Sequence, residues 1–296
     1  MFRLAHISDP HLTVIPRLGF TDLLSKRLFG LFNWRRNRQH AFGPATLKAL
    51  VADIHRARPD HTAVTGDLVN VGLHAEFVAA HEWLKELASP SDATLVPGNH
   101  DVYMPGSFEE MAREWAAYMT ADGQPPGKVT FPFVRRRGPV ALIGVSSAVP
   151  TPPLFATGQV GQAQANALTE VLAALTKENL FRVVLVHHSP VAGATGWYRR
   201  LVDAHRFRDA IKQSGAELVL HGHNHHTNVA SIHGPVGSVP VVGVAAGSVL
   251  PTATTPGGSY CMFEIEAGAK FSCRMTERGI RKAGAPVEVM REETLL

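Results

Sequence analysis

Cysteine is almost missing from this 296-residue chain, where only Cys261 and Cys273 occur. So few thiols exclude a disulfide framework and read as reduced cysteines on neighbouring strands of a cytoplasmic protein. Long apolar runs are missing as well. No stretch approaches the ~18 consecutive apolar residues of a membrane-spanning helix. A secretory leader is not expected either, because Leu4 to Asp9 already read as a strand ending in a polar motif. Internal repeats, low-complexity tracts and an obvious linker are absent too. What remains is a chain with 45% hydrophobic and 18% charged residues. That is the balance of a folded protein with a sizeable core, in one large or two small units.

A surplus of one charge sign is confined to a single segment. The formal charge of +4 arises from 29 basic and 25 acidic residues. Between Arg17 and Arg38, six cations (Arg17, Lys26, Arg27, Arg35, Arg36 and Arg38) face one acid, Asp22, so the rest is close to neutral. A general nucleic-acid-binding surface is therefore not expected.

Histidine, by contrast, is abundant, at 16 residues. His40, His55, His74, His81 and His205 lie in helical or surface contexts and carry no chemical expectation. The informative ones stand beside Gly, Asn or Asp at the exits of apolar, β-branched runs.

Strand and helix signals alternate. Apolar patterning predicts strands over 2–8, 62–67, 94–97, 181–187 and 217–221, and helices over 44–57, 74–87, 107–119, 160–175 and 203–213. Two antiparallel strands are expected over 129–134 and 139–146. From 227 onwards only short strands appear, at 229–232, 239–244, 260–265 and 271–275, separated by Gly/Pro turns. The polar stretch after Gly279 reads as loosely held. Such an order predicts an α/β fold, a four-layer α/β/β/α sandwich of two mixed β-sheets flanked by helices. It is expected as a single domain over 1–280 with an insert at 19–42 and a polar tail at 281–296.

Five fragments place oxygen or imidazole donors at strand exits. They are Ser8-Asp9-Pro10-His11, Gly66-Asp67, Gly98-Asn99-His100-Asp101, His187-His188 and Gly222-His223-Asn224-His225. Ligands of open α/β sheets gather at the carboxyl ends of strands. Each fragment alone is an ordinary turn or cap; five in one chain point to a common site. Carboxylates, imidazoles and one amide oxygen, without thiolates, suit Mn²⁺, Fe²⁺/Fe³⁺ or Zn²⁺. Asp9 and His11, two residues apart, could meet one ion, and His223 and His225 could serve one ion each. Asp67 is the natural carboxylate to bridge two ions. Such a pair would clamp the attacking and leaving oxygens of an in-line displacement.

In this order the fragments resemble the motif blocks of the calcineurin-like metallophosphoesterases, over Leu4 to His226. The resemblance implies dinuclear metal-dependent hydrolysis of a phosphate ester by a metal-bridging hydroxide, with no Ser or Cys nucleophile. It implies Asp9, His11, Asp67 and His225 as ligands of one ion, and Asp67, Asn99, His187 and His223 as ligands of the other. His100 would touch the phosphoryl oxygens and assist the leaving group, with Asp101 orienting it. His188, His221 and His226 flank the implied ligands and are not among them. Asn70 stands where the protein-phosphatase branch has a further Asp, which is more similar to the bacterial phosphodiesterase-like branch. The expected substrate is a small soluble phosphodiester such as a cyclic nucleotide or a glycerophosphodiester.

Residues 19–42 interrupt the connection after the first fragment. Phe20, Leu23, Leu24, Leu28, Leu31 and Phe32 recur at near-helical spacing among Lys26, Arg27, Arg35, Arg36 and Arg38, with Trp34 at the basic end. One reading is a helical flap packed on the domain, its arginines solvated. The other is an amphipathic element that rests on an anionic membrane or admits a lipid-bearing substrate. Either way it should overhang the site. The latter resembles the UDP-diacylglucosamine hydrolases, which cleave a lipid-linked nucleotide pyrophosphate, and implies a peripheral position at the inner face of the membrane. A non-catalytic, metal-stabilised scaffold is disfavoured because no motif residue is missing. Arg199 and Arg200, following Trp197 and Tyr198, form either a surface loop or a grip on a second phosphate.

Overall fold

The computed structural model describes residues 1–12, 25–38, 40–125, 127–268 and 270–296. Arg17 of the basic segment, and Phe20, Leu23 and Leu24 of the insert, lie outside the described residues. In chain order, β1 (Phe2–Ile7), α1 (Lys26–Asn33), α2 (Pro44–Ala57), β2 (His61–Val64), α3 (His74–Leu87), β3 (Ala93–Leu95) and α4 (Ser107–Met119) come first. Then follow β4 (Phe133–Arg137), β5 (Val140–Gly144), α5 (Gln162–Thr176), β6 (Phe181–Leu185), α6 (Ala204–Ser214) and β7 (Leu218–His221). The last strands are β8 (Asn228–His233), β9 (Ser238–Gly243), β10 (Ser259–Glu266), β11 (Ser272–Gly279) and β12 (Glu288–Thr294).

These strands make two mixed six-stranded sheets, in the orders β12–β11–β10–β1–β2–β3 and β4–β5–β6–β7–β9–β8. In the first, β1, β2 and β3 run parallel and the C-terminal strands antiparallel. In the second, β5, β6, β7 and β9 run parallel between the antiparallel edges β4 and β8. Strand alternation sorts the core. Leu142, Val183, Leu185, Leu218 and Leu220 point inward to join Leu4 and Phe263 of the other sheet. Their neighbours Ala141, Ile143, Val184 and Val219 point outward to Leu168 and Leu172 of α5 and Phe207 and Ile211 of α6. Helices α2, α3 and α4 cover the first sheet through residues such as Leu50, Phe77 and Trp115. The expected helix–sheet–sheet–helix layering results.

Three details depart from the sequence reading. Strand β4 begins at Phe133 and not at 129, since Pro132 has no N–H for a ladder. Strand β11 continues past Met275 to Gly279. The stretch after Gly279 is not loose: it supplies β12, which pairs with β11 across a bulge at Glu277/Arg278. Its side chains are mostly exposed, so no apolar periodicity announced it. Cys261 on β10 and Cys273 on β11 are buried free thiols. Among the described residues, no helix is long and apolar enough to cross a membrane.

Candidate metal centre

Strands β1, β2, β3, β6 and β7 end beside one another, and the residues just beyond them converge. Main-chain bonds stitch the exits together: Asp9 N donates to Gly66 O (2.9 Å), His11 N to Asp67 O (3.1 Å) and Gly222 N to His187 O (3.1 Å). Among the described residues only eight non-glycine positions have positive φ, and five of them are Asp9, His11, Asp67, His223 and His225. Left-handed backbone is unfavourable for these residue types and gathers at functional sites. Glycine at 98 and 222 has a separate cause. A Cβ on Gly98 would collide with the Asp67 carboxylate, and one on Gly222 with Ser8 Oγ and Asp9 Oδ2.

The bonds that fix each side chain also determine which atom it presents. Asp9 Oδ2 accepts from Ser8 Oγ (2.6 Å) and His223 N (2.9 Å). Asp9 Oδ1, equally buried, has no hydrogen-bond partner; it lies 3.2 Å from His225 Nε2 and 3.8 Å from His11 Nε2. Asp67 Oδ1 accepts from His100 N (2.8 Å), while its Oδ2 lies 3.3 Å from His187 Nε2 and 3.9 Å from His11 Nε2. Carbonyl oxygens accept Nδ1–H of His11 (Val69, 3.3 Å) and of His187 (Thr65, 2.6 Å), so both rings turn Nε2 inward. His223 is reversed: its Nε2 donates to Arg199 O (2.9 Å), leaving Nδ1 as the donor atom. Asn99 Oδ1 stands 3.3 Å from His187 Nε2.

Asp9, His11 and His225 thus form one group, and Asp9, Asp67 and His187 another, each with donor atoms within 4.8 Å of one another. Asp67 Oδ2 faces both groups. The two Nε2 atoms of His11 and His225 are 3.3 Å apart, an arrangement of lone pairs that repels unless a proton or a cation lies between. Ion–ligand bonds of about 2.0–2.2 Å produce ligand–ligand edges of roughly 3–3.5 Å. The donor set and its spacings therefore fit metal binding.

Electrostatics agree. Burial would raise the Asp67 carboxyl, but His187, His100 and His11 bring it well below the usual carboxylate range. Asp9 is likewise lowered against its burial, by His225 and then His187. Burial opposes charge on His187, yet the Asp67 and Asp9 carboxylates push it up to about 9. A proton there partly balances two buried carboxylates, and a bound cation takes over that task. His223 is held well below its ordinary value by burial, then by His188 and His187, so its lone pair is available.

The sequence matches the family model for calcineurin-like phosphoesterases over residues 2–227. The chain belongs to that family. A search of curated proteins returns no match. Among solved structures it is similar to a dimetal phosphatase from Danio rerio, at TM-score 0.62 and 12% identity, covering 97% of this chain and 98% of that one. It is also similar to a purple acid phosphatase from yellow lupin seeds (TM-score 0.63, 13% identity, 99% and 53% covered). A third is a 5′-nucleotidase precursor from Thermus thermophilus (0.52, 14%, 99% and 53%). At these identities the likeness is one of fold.

The flanking histidines of this phosphoesterase have other occupations. His188 lies near His187 and His223, but its Nδ1 meets Ser147 Oγ (2.8 Å) and its Nε2 donates to Ala156 O (3.2 Å). His221 bonds Gly222 O and His226 bonds Asn224 O through Nδ1. Asp101 needs a correction. Its carboxylate accepts from the amides of Asp67 and Gly98 (2.8 Å each), Leu68 (2.9 Å) and Val69 (3.2 Å). It therefore clamps the turn that carries Asp67 instead of orienting His100, whose Nδ1 donates to Asn70 O at 2.6 Å.

Above the centre opens a cavity of about 460 Å³. Asp67, Asn99, His100, His223 and His225 line its floor, and the insert overhangs it through Lys26, Phe29 and Trp34. Leu154, Phe155, Ala156, Tyr198 and Arg199 complete the wall. Arg199 also donates from Nη2 to His223 O (2.6 Å); Arg200 is exposed and does not line the cavity. Sequence reasoning missed Phe42, whose ring lies 5.1 Å from His11 and 5.8 Å from His225. It also missed Tyr103, stacked 5.8 Å from His100. Position three residues after His100 was a usable hint for Tyr103; the 154–156 segment carries no motif at all.

Proposed function

We propose that this phosphoesterase hydrolyses a small soluble phosphodiester with two metal ions. Asp9, His11, Asp67 and His225 would hold one, and Asp67, Asn99, His187 and His223 the other. The observation that carries this reading is the unpartnered Oδ1 of buried Asp9, facing Nε2 of His11 and His225. When bound, the ions supply a water-derived nucleophile and neutralise phosphoryl charge, and the donor set suits Mn²⁺, Fe or Zn²⁺.

The chain's own residues do the rest. Ser8 and the His223 amide hold Asp9 so that one oxygen stays available. His100, with Nδ1–H committed to Asn70 O, offers its other edge on the cavity floor to a phosphoryl oxygen or the departing alkoxide. Among the described lining residues Asp67 is the one carboxylate, so among them an anionic diester faces no second acid. The buried free thiols support a reducing, cytoplasmic setting. The test is Mn²⁺-reconstituted protein with bis(p-nitrophenyl) phosphate and p-nitrophenyl phosphate. Metal-dependent turnover of the diester above the monoester is expected; no turnover with Mn²⁺, Fe²⁺ or Zn²⁺ would return the scaffold reading.

A second reading, a membrane-associated pyrophosphatase of a lipid-linked nucleotide, draws support from exposed apolar side chains at the cavity mouth. Helix α1 exposes Leu28, Phe29 and Phe32, and the facing segments expose Leu154, Trp197 and Tyr198. Clustered exposed apolar residues beside basic ones mark interaction surfaces. Sedimentation with anionic liposomes separates the readings: no binding removes the lipid case.

A further inference from the structure

Lys26 is a cation that has no counter-ion among the described residues, on the wall of a cavity built for anions. It stands at the start of α1, half-buried on the cavity wall. Its Nζ donates to Thr151 Oγ1 at 3.1 Å and lies 4.1 Å from the centre of the Tyr103 ring. Among the described residues no carboxylate is within ion-pair reach of it, and the lone carboxylate lining the cavity, Asp67, is committed to the metal centre. A hydroxyl and a ring face engage an ammonium only in part, leaving further N–H donors for an acceptor. The cost of that uncompensated burial is visible in the group itself, whose pKa falls to about 8.

Its position relative to the chemistry is defined by a stack. Tyr103 lies nearly parallel to His100, 13° between planes, and the Lys26 ammonium lies over the Tyr103 ring. The ammonium is thus one ring removed from the residue that meets the reacting phosphoryl group. Arg199, on the wall formed with Tyr198, likewise meets no carboxylate among the described residues, with one nitrogen spent on His223 O.

Resting on the proposed phosphodiesterase reading and narrowing its substrate, we infer that Lys26 binds a second phosphate group of the substrate, beyond the phosphoryl group that reacts. The substrate class is then a diester or anhydride with two phosphates, hydrolysed as water adds to one phosphorus, its P–O bond breaks and the leaving oxygen takes a proton. Lys26 acts here as a specificity residue.

The test compares ADP with AMP as ligands of the metal-loaded protein, by calorimetry and as competitors of bis(p-nitrophenyl) phosphate, with free metal held constant. The two ligands differ only in the second phosphate. Wild type is expected to bind ADP about tenfold tighter than AMP, the yield of one charge-assisted contact. Lys26→Met should bring that ratio to about one, Lys26→Arg should retain it, and Thr151→Ala, which removes the hydroxyl that receives Lys26 and donates to Phe155 O (2.7 Å), should leave it unchanged. A wild-type ratio near one, or a Lys26→Met ratio equal to wild type, overturns the inference. Thr151→Ala abolishing the ratio as fully as Lys26→Met also overturns it, because Lys26 is then a latch. Failure of wild type to turn over the diester would strike the proposed function and leave the calorimetric ratio still decisive for Lys26.

Discussion

Five strand exits hold the cavity floor through buried, mutually bonded side chains, whereas the described part of the roof, helix α1, leaves large apolar side chains exposed. Asp9, Asp67, His11 and His187 are almost wholly buried and tied by main-chain and side-chain bonds on every side. The contacts of helix α1 include Arg27 donating to Val71 O and Gly72 O, Lys26 on Thr151, and Gly30 against Tyr103 and Val71. Phe29, Phe32 and Leu154 remain 56%, 63% and 85% exposed. The contrast separates two tasks. Chemistry needs atoms held within tenths of an ångström, so the floor is over-determined. Choice of substrate needs only a surface of the right polarity, so the roof can leave side chains exposed where the floor cannot.

The sharpest way to break that contrast is to weaken the floor at its centre. Asp67→Ala should lower turnover by about 10³-fold and reduce bound metal, read by initial rates and metal analysis of the purified protein. Equal activity would show that the floor is not the reacting surface. Proton competition follows next. His187 is raised to about 9 by Asp67 and Asp9, so a metal must displace its proton at neutral pH. Apparent metal affinity should therefore rise with pH towards 9, by up to about tenfold per unit, measured against a competing chelator. A flat profile would exclude His187 as a donor.

Smaller effects test the supports. Gly98→Ala, whose Cβ collides with the Asp67 carboxylate, should weaken metal affinity by about 10–100-fold, read by the same titration. The smallest change is expected in the roof. Leu28→Ser with Phe32→Ser should shift stability by no more than about 0.5 kcal/mol, since both are exposed. Thermal unfolding and diester turnover check this, and vesicle sedimentation shows whether these side chains serve a lipid surface. A large loss of stability would mean that the roof is packed as tightly as the floor.

Much of this molecule was legible before folding. The helices at Pro44–Ala57, His74–Leu87 and Ser107–Met119 match their predicted limits, because apolar spacing and Pro or Gly boundaries are local properties. The layering followed from element order. Strand β12 was illegible, since an edge strand wet on most sides has no apolar rhythm. Asp101 was misread because a carboxylate adjoining His100 in sequence is drawn away by four amides distant in the chain. Arg199 and Arg200 look alike in sequence, and only packing puts one on the cavity and the other in solvent.

The order of residues alone determined the donor types, their placement at strand ends and the glycines that let them approach. Those are consequences of chain chemistry and short-range sterics. Which atom of each donor turns inward was decided by the tertiary structure, because carbonyls such as Thr65 O and Arg199 O reach the rings from other strands and loops. The company of Lys26 was decided in the same way: half-burial beside Thr151 and Tyr103, which lie far away in the chain, is a property of the folded surface that no neighbour in sequence could announce.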